Sequence, residues 1–316
     1  ILPKHIWEDI PAASARLAEF NTKPIGNGAW QFKEFAKDKA GTIHTYTLEP
    51  NENYDGHTPY LTEITFKFYP DFITALDALN QKQVMGMSFL PVDLQDNIRE
   101  SQNYELHRLN LPQYTALFFN QKQNTFLKSK SVRTALALAI NKPELIEQGL
   151  AGQGNVLASP VLALEVGTAT STLSFDRARA DALLDEAGWK RNALDFREKD
   201  EDVLQVTLTS VKQPENEAVA NSIKKYWEAI GVQTTIQLIA PSEIQSSVIK
   251  ERDYDVLLYG AIVGADPDPF PFWHSTQTEH PGLNLAHFKD INTDLLLEEA
   301  RQTDDIDVRL AKYESF

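Results

Sequence analysis

Between Asp253 and Trp273 the sequence reads DYDVLLYGAIVGADPDPFPFW, an apolar run that passes at once into carboxylates, prolines and aromatics. Residues 256–259 are apolar without interruption, the pattern of a strand buried on both faces, as in a parallel or mixed sheet under helices. Gly260 and Gly264 permit tight turns, while Pro267, Pro269 and Pro271 deny the next segment helix and ladder hydrogen bonds. A rigid loop therefore carries Asp266, Asp268, Phe270, Phe272 and Trp273 past the carboxyl end of the strand, where open α/β sheets place their ligands. A carboxylate beside aromatic walls suits an ammonium group on an apolar body.

The segments upstream supply such a sheet. Residues 204–210 (LQVTLTS) alternate as a strand, 216–230 form an amphipathic helix that Gly231 ends, and 232–239 (VQTTIQLI) form a second strand. A helix of this length between two strands is a parallel unit with a right-handed crossover. Further helices are expected over 132–140, from Asn141 as N-cap with Pro143 in the first turn, over 175–189 and over 242–252. Residues 294–316 read as one amphipathic helix. Nearer the start, GNGAWQFKEF and HTYTL predict a β-hairpin, and strands follow at 63–69, 84–89, 104–110 and 114–120, with a helix over 71–80. The texture changes near residue 115, from β-rich to alternating helix and strand, so the expected domains are 1–115 and 116–316.

Two domains also fit 316 residues, more than one core usually holds. With 30 Lys and Arg against 45 Asp and Glu, the net charge of −15 repels nucleic acid and anionic membrane and favours cationic ligands. The absence of cysteine excludes disulfides, thiol catalysis and thiolate metal sites, and fits an exported protein. Seven histidines are present, but none forms H-E-x-x-H or an i, i+4 pair, so no metal site and no cofactor is expected. There is no G-x-S-x-G, no phosphate-cradling glycine loop, and Asp266 and Asp268 are too close in sequence to flank a glycosidic bond. An enzyme is not expected. No run of about 18 apolar residues spans a membrane. The first residues have neither initiator Met nor apolar leader, and the last helix has no stop signal, so the chain reads as a piece of something longer.

Several phrases, in order, resemble the extracellular solute-binding proteins of ABC importers that carry oligopeptides, dipeptides and nickel complexes. Residues 1–6 (ILPKHI) resemble that family's ILPKH, and 24–30 (PIGNGAW) its P-x-G-x-G-P-Y, with Ala29 and Trp30 in place of Pro-Tyr. Residues 51–54 resemble R-N-P-x-Y, 132–141 resemble V-R-x-A-L…A-I-D, and 182–189 resemble A-x-x-L-L-x-E-A-G. Residues 265–269 and 272–275 are similar to the peptide-binding branch's A-D-x-x-D-P and F-W-H-S. The resemblance implies an α/β, two-lobed periplasmic-binding-protein-like fold of mixed sheets flanked by helices, incomplete at both ends. Residues 1–115 would be part of lobe one and 116–316 lobe two, with 114–120 crossing between them. It also implies a monomer that takes short peptides outside the cytoplasmic membrane, in the periplasm or as a cell-surface lipoprotein. Its partner would be a membrane permease, with no nucleic acid. Another cargo on the same scaffold, such as a nickel chelate, haem or oligosaccharide, is the alternative, as is the sensor domain of a transcriptional regulator.

Each site residue has a plain structural reading beside the functional one. By the resemblance, Asp266 pairs with the ligand's α-ammonium; otherwise it caps its own turn. Asp268, before Pro269, is equally a turn cap or a contact. Phe270, Phe272 and Trp273 are cleft walls or a plug between strand and helix. Tyr114 offers hydroxyl and ring to a ligand backbone or packs at the crossing strand. Arg133, on an apolar helix, is expected to be a buried ion-pair partner.

Overall fold

A computed structural model describes residues 3–107, 109, 111–162, 173–264, 266 and 268–316. Ile1 and Leu2 of the opening phrase, and Ala265 and Pro267 of the aspartate loop, lie outside the described residues. The chain divides into two compact units, Ile1–Leu106 and His107–Phe316.

In the first unit, a short helix α1 (Lys4–Trp7) precedes an antiparallel sheet of β1 (Trp30–Lys37), β2 (Ile43–Pro50) and β3 (Ile64–Lys67), in the order β1-β2-β3. The predicted hairpin is present, with Trp30 opposite Pro50 and bulges after Phe32 and Ala36. Asn51 fixes the glycine phrase before β1 by donating its side-chain amide to the Gly28 carbonyl at 2.8 Å. Helix α2 (Phe72–Asn80) begins where Asp71 accepts the Thr74 amide at 2.7 Å, and it buries Leu76, Ala78 and Leu79. The strand expected over 84–89 does not form: its backbone joins no ladder, and a strand exists only where another backbone completes its hydrogen bonds. The described residues of 104–110 are likewise outside any ladder, and Arg108 and Asn110 lie outside the described residues.

The second unit is built on a four-stranded sheet of β4 (Gln113–Phe119), β8 (Gln205–Val211), β9 (Gln233–Ile239) and β10 (Val256–Ile262), ordered β4-β10-β8-β9. Strand β8 is parallel to β9 and to β10, and β4 is antiparallel to β10. The expected boundary at residue 115 falls inside β4, whose ladder places the whole strand in this unit. Val256, Leu257 and Leu258 are all at most 3% exposed, the two-sided burial their apolar run predicts. One face, carrying Val256, Leu258, Val206 and Leu208, packs under α3 (Lys130–Leu138), α5 (Arg177–Glu186) and α6 (Pro214–Ala229). Helix α4 (Lys142–Gly149) starts at Asn141, whose side chain accepts the Glu144 amide. Trp227 anchors this core, fully buried, with its indole N–H donating to the Leu136 carbonyl at 3.0 Å. Burying each such side chain contributes about 1.5–3 kcal/mol.

A small sheet of β5 (Lys190–Arg191), β6 (Arg197–Lys199) and β7 (Asp202–Val203) closes the same side. Its Arg197 is 2% exposed and donates to Asp181 at 2.5 Å, Asp185 at 2.8 Å and the Ile230 carbonyl at 2.9 Å. Gly231 stops α6 at φ +85, and a Cβ there would stand 2.7 Å from Arg197 Cγ, so only glycine fits. Arg133 differs from expectation: it donates to the carbonyls of Leu127 (2.7 Å) and Lys128 (3.0 Å), securing the turn before α3, with no carboxylate partner among the described residues. The helix expected over 242–252 is a single wide turn, Gln245–Ile249, with the Lys250 amide bonded five residues back to Gln245. Beyond it Arg252, at φ +57, turns its buried guanidinium onto the carbonyls of Thr278 and Gly282. That tertiary anchor ends the helix. The last segment is two helices, not one: α8 (Ile291–Arg301) and α9 (Ile306–Ser315), following the four-residue α7 (Phe270–Trp273). Asp305 breaks the run by accepting the Asp307 and Val308 amides at 3.0 and 3.2 Å. Among the described residues, no helix is long and apolar enough to cross a membrane.

Candidate functional site

At the end of β10 the backbone turns at Gly264 (φ +76) into the aspartate loop. The strand carries this loop to the carboxyl ends of β8 and β10, beside the start of antiparallel β4, where Tyr114 faces Ala261. Asp266 projects outward, its side chain 64% accessible, with its Oδ2 3.7 Å from Arg309 Nη1 on α9. Among the six candidate residues of this site it is the one with a largely exposed polar group.

Asp268 is fully engaged within the fold. Its Oδ1 accepts the Phe270 amide at 3.1 Å, starting α7, and its Oδ2 accepts Arg301 Nε at 2.9 Å and Nη2 at 2.7 Å. The same guanidinium lies 3.8 Å from the Phe270 ring centre, and Phe270 stacks on His274 at 4.1 Å and 16°. The Thr276 amide donates to His274 Nδ1 at 3.2 Å, so the ring proton sits on Nε2, which donates to Glu298 at 3.1 Å. Carboxylate, guanidinium, phenyl and imidazole thus form one layered stack that holds the loop. Trp273 packs between two apolar clusters, near Phe118, Phe288 and Phe316 at 6.2–6.3 Å between ring centres. Phe272 joins the cluster around Tyr114 and Leu257. Tyr114 is 5% exposed, and its hydroxyl meets no hydrogen-bond partner among the described residues. Burial pushes that hydroxyl up to about 12, offset in part by the neighbouring Trp273 indole.

The structure thus gathers all six of these candidate residues at one end of the second unit's sheet, with Asp266 outward and the others packed behind it. Arg301, Arg309 and Tyr313 belong to this cluster and lie 30 to 50 positions further along the sequence. Their signal, two arginines on the inner faces of α8 and α9, is invisible until the helices fold back. A separate polar recess of about 400 Å³ lies at the opposite end of the sheet, lined by residues such as Gln123, Gln205, Thr207 and Asp255. In the first unit, a recess of about 540 Å³ is lined by Phe20, Lys23, Gly26, Gln31 and Asn51. No group of three or more metal-binding side chains occurs among the described residues.

This α/β fold belongs to a family of solute-binding proteins. Residues 1–282 match the model for "Bacterial extracellular solute-binding proteins, family 5 Middle", and the chain is a member of that family. Among its relatives, the oligopeptide-binding protein AppA of Bacillus subtilis is 30% identical over 315 residues, covering 96% of this chain and 56% of AppA. The nickel-binding periplasmic protein of Escherichia coli is 30% identical over 263 residues, covering 80% of this chain and 48% of that protein. The chain therefore spans about half the length of these curated relatives. The structure of Bacillus subtilis AppA in complex with a nonapeptide superposes with a TM-score of 0.81 at 26% identity, over 100% of this chain and 62% of AppA. NikZ from Campylobacter jejuni, in complex with Ni(L-His), shares the fold with a TM-score of 0.84 at 24% identity, over 100% of this chain and 62% of NikZ.

Proposed function

We propose that this chain is part of an extracytoplasmic protein that captures short peptides and delivers them to the membrane permease of an ABC importer. It performs no chemistry on them and acts as a monomer. The two units, residues 1–106 and 107–316, are parts of two lobes, with the whole of β4 in the second. The observation that carries this reading is the exposed Asp266 carboxylate, held past the carboxyl end of β10 by a packed aromatic stack. An outward carboxylate on a rigid base accepts an α-ammonium through a charge-assisted hydrogen bond. Asp268, Phe270 and Trp273 serve by fixing its position, and Tyr114 supports them from β4. Likeness to an oligopeptide-binding protein supports the same cargo.

Calorimetry on the full-length protein tests this with tri-alanine and N-acetyl-tri-alanine. Asp266→Asn keeps size and turn-forming capacity, so affinity for the free amine falls by about 2 kcal/mol or more while the acetylated peptide, already weak, loses little further. Equal losses for both peptides would reduce Asp266 to a turn cap. The nickel-binding relative favours one second reading, a metal chelate as cargo. Binding of a nickel–histidine complex without binding of either peptide would establish it.

A further inference from the structure

Asp266 already has a cationic neighbour within its own chain. Its Oδ2 stands 3.7 Å from Arg309 Nη1, within ion-pair range yet longer than a hydrogen bond. Arg309 lies in the first half of α9, and that helix is firmly placed. Asp305 caps its start, Lys312 reaches Glu299 on α8 at 2.5 Å, and Tyr313, 2% exposed, packs with Leu297 and Ala300. The other guanidinium nearby, Arg301, is committed by two hydrogen bonds to Asp268 and by the Phe270 face. Among the described residues Arg309 makes no such hydrogen bonds. Its side chain is 28% accessible, and its ion-pair partner among the described residues is Asp266.

The four charges of this cluster, Asp266, Asp268, Arg301 and Arg309, sum to zero. An arriving ammonium at Asp266 adds one positive charge beside a guanidinium, which is unfavourable unless the guanidinium withdraws. The Arg309 stem is largely covered, but its guanidinium makes no hydrogen bond among the described residues, so the head can swing away from Asp266 without breaking one. We propose that Arg309 is an internal competitor for Asp266, occupying the place a ligand ammonium takes, so that α9 sets how strongly the site selects cationic ligand ends. This rests on Asp266 being the ammonium acceptor. The alternative role for Arg309, orienting Asp266 for its ligand, predicts the opposite sign.

The test is calorimetry on the full-length protein with tri-alanine and N-acetyl-tri-alanine as probes. Arg309→Gln should bind tri-alanine roughly 3- to 10-fold more tightly, through loss of a long, partly exposed ion pair and of like-charge repulsion, with the acetylated peptide unchanged. Arg309→Met keeps an apolar stem of similar length and should behave the same way, so a folding defect of the glutamine variant leaves the inference decidable. In an Asp266→Asn background, Arg309→Gln should change nothing, because the contested carboxylate is gone. Unchanged or weaker tri-alanine binding by the Arg309 variants, with Asp266→Asn weakened, overturns the competition while the ammonium reading stands. If Asp266→Asn itself binds like the parent, both fall together.

Discussion

His287 sits at φ +50, 8% exposed, and its Nε2 is buried with no hydrogen-bond partner among the described residues. Burial holds its pKa below the ordinary 6.5, and the charges of Lys122, Arg252 and Lys289 push the same way, while Glu279 opposes them. The sign for stability follows from proton counting. Above the ordinary value neither folded nor unfolded His287 carries a proton, so nothing is lost. As pH falls below 6.5 the unfolded chain protonates first, and stability declines until the folded ring also titrates. Replacing His287 with Asn, which tolerates positive φ, should flatten urea midpoints between about pH 7 and about pH 5. A slope as steep as the parent's would mean that other groups carry the dependence. None of this was legible in the sequence, where His287 was one of seven histidines without a pattern. Its burial comes from the chain segments packed around it.

At the scale of elements, several helices begin where a side chain accepts a backbone amide, whereas α6 forms on its apolar stripe without such a cap. Asp71, Asn141, Asp176 and Asp305 each accept an amide at a helix start. Asp305 also separates α8 from α9 and so fixes where Arg309 lies. Asp305→Ala should destabilise the chain by about 0.5–2 kcal/mol, measured by denaturant unfolding. If the fold is unmoved, the break between the helices is set by packing of Tyr313 and not by the cap. The wide turn Gln245–Ile249 shows the reverse case. Ile244 before it and Val248 and Ile249 within it recur at helical spacing, yet the buried Arg252 guanidinium, bonded to the carbonyls of Thr278 and Gly282, decides its geometry. Local periodicity cannot register a partner some 30 residues away.

On the scale of the whole molecule, the two units differ in how much apolar surface they bury. In the second, both faces of the β4-β10-β8-β9 sheet are covered, by one cluster around Trp227 and another around Phe118 and Leu257. In the first, the buried aliphatic side chains are Leu76, Ala78 and Leu79 of α2, while Phe66 and Phe68 at and beside β3 are 49% and 55% exposed. Local opening is cheapest where few apolar contacts must be broken. Hydrogen exchange on residues 1–316 should therefore show β8 and β10 amides exchanging at least about 100-fold more slowly than those of β1 and β2. Equal protection in the two sheets would show that backbone pairing outweighs side-chain burial here.

By itself the sequence determined the elements whose cause is local. The two-sided burial of β10 follows from an unbroken apolar run, the β8-α6-β9 unit from a change of period closed by Gly231, and the hairpin from alternation after a glycine phrase. It also brought Asp266 to the end of a strand, because glycine and proline dictate backbone conformation wherever they occur. Only the tertiary structure decided which of the loop's side chains stay free. Asp266 and Asp268 stand two apart with the same chemistry, and one is exposed while the other binds Arg301 with both hydrogen bonds of a fork. Their difference is made by α8 and α9 folding back across the loop, and the Coulomb energy of an ion pair depends on distance in space, which chain order does not specify.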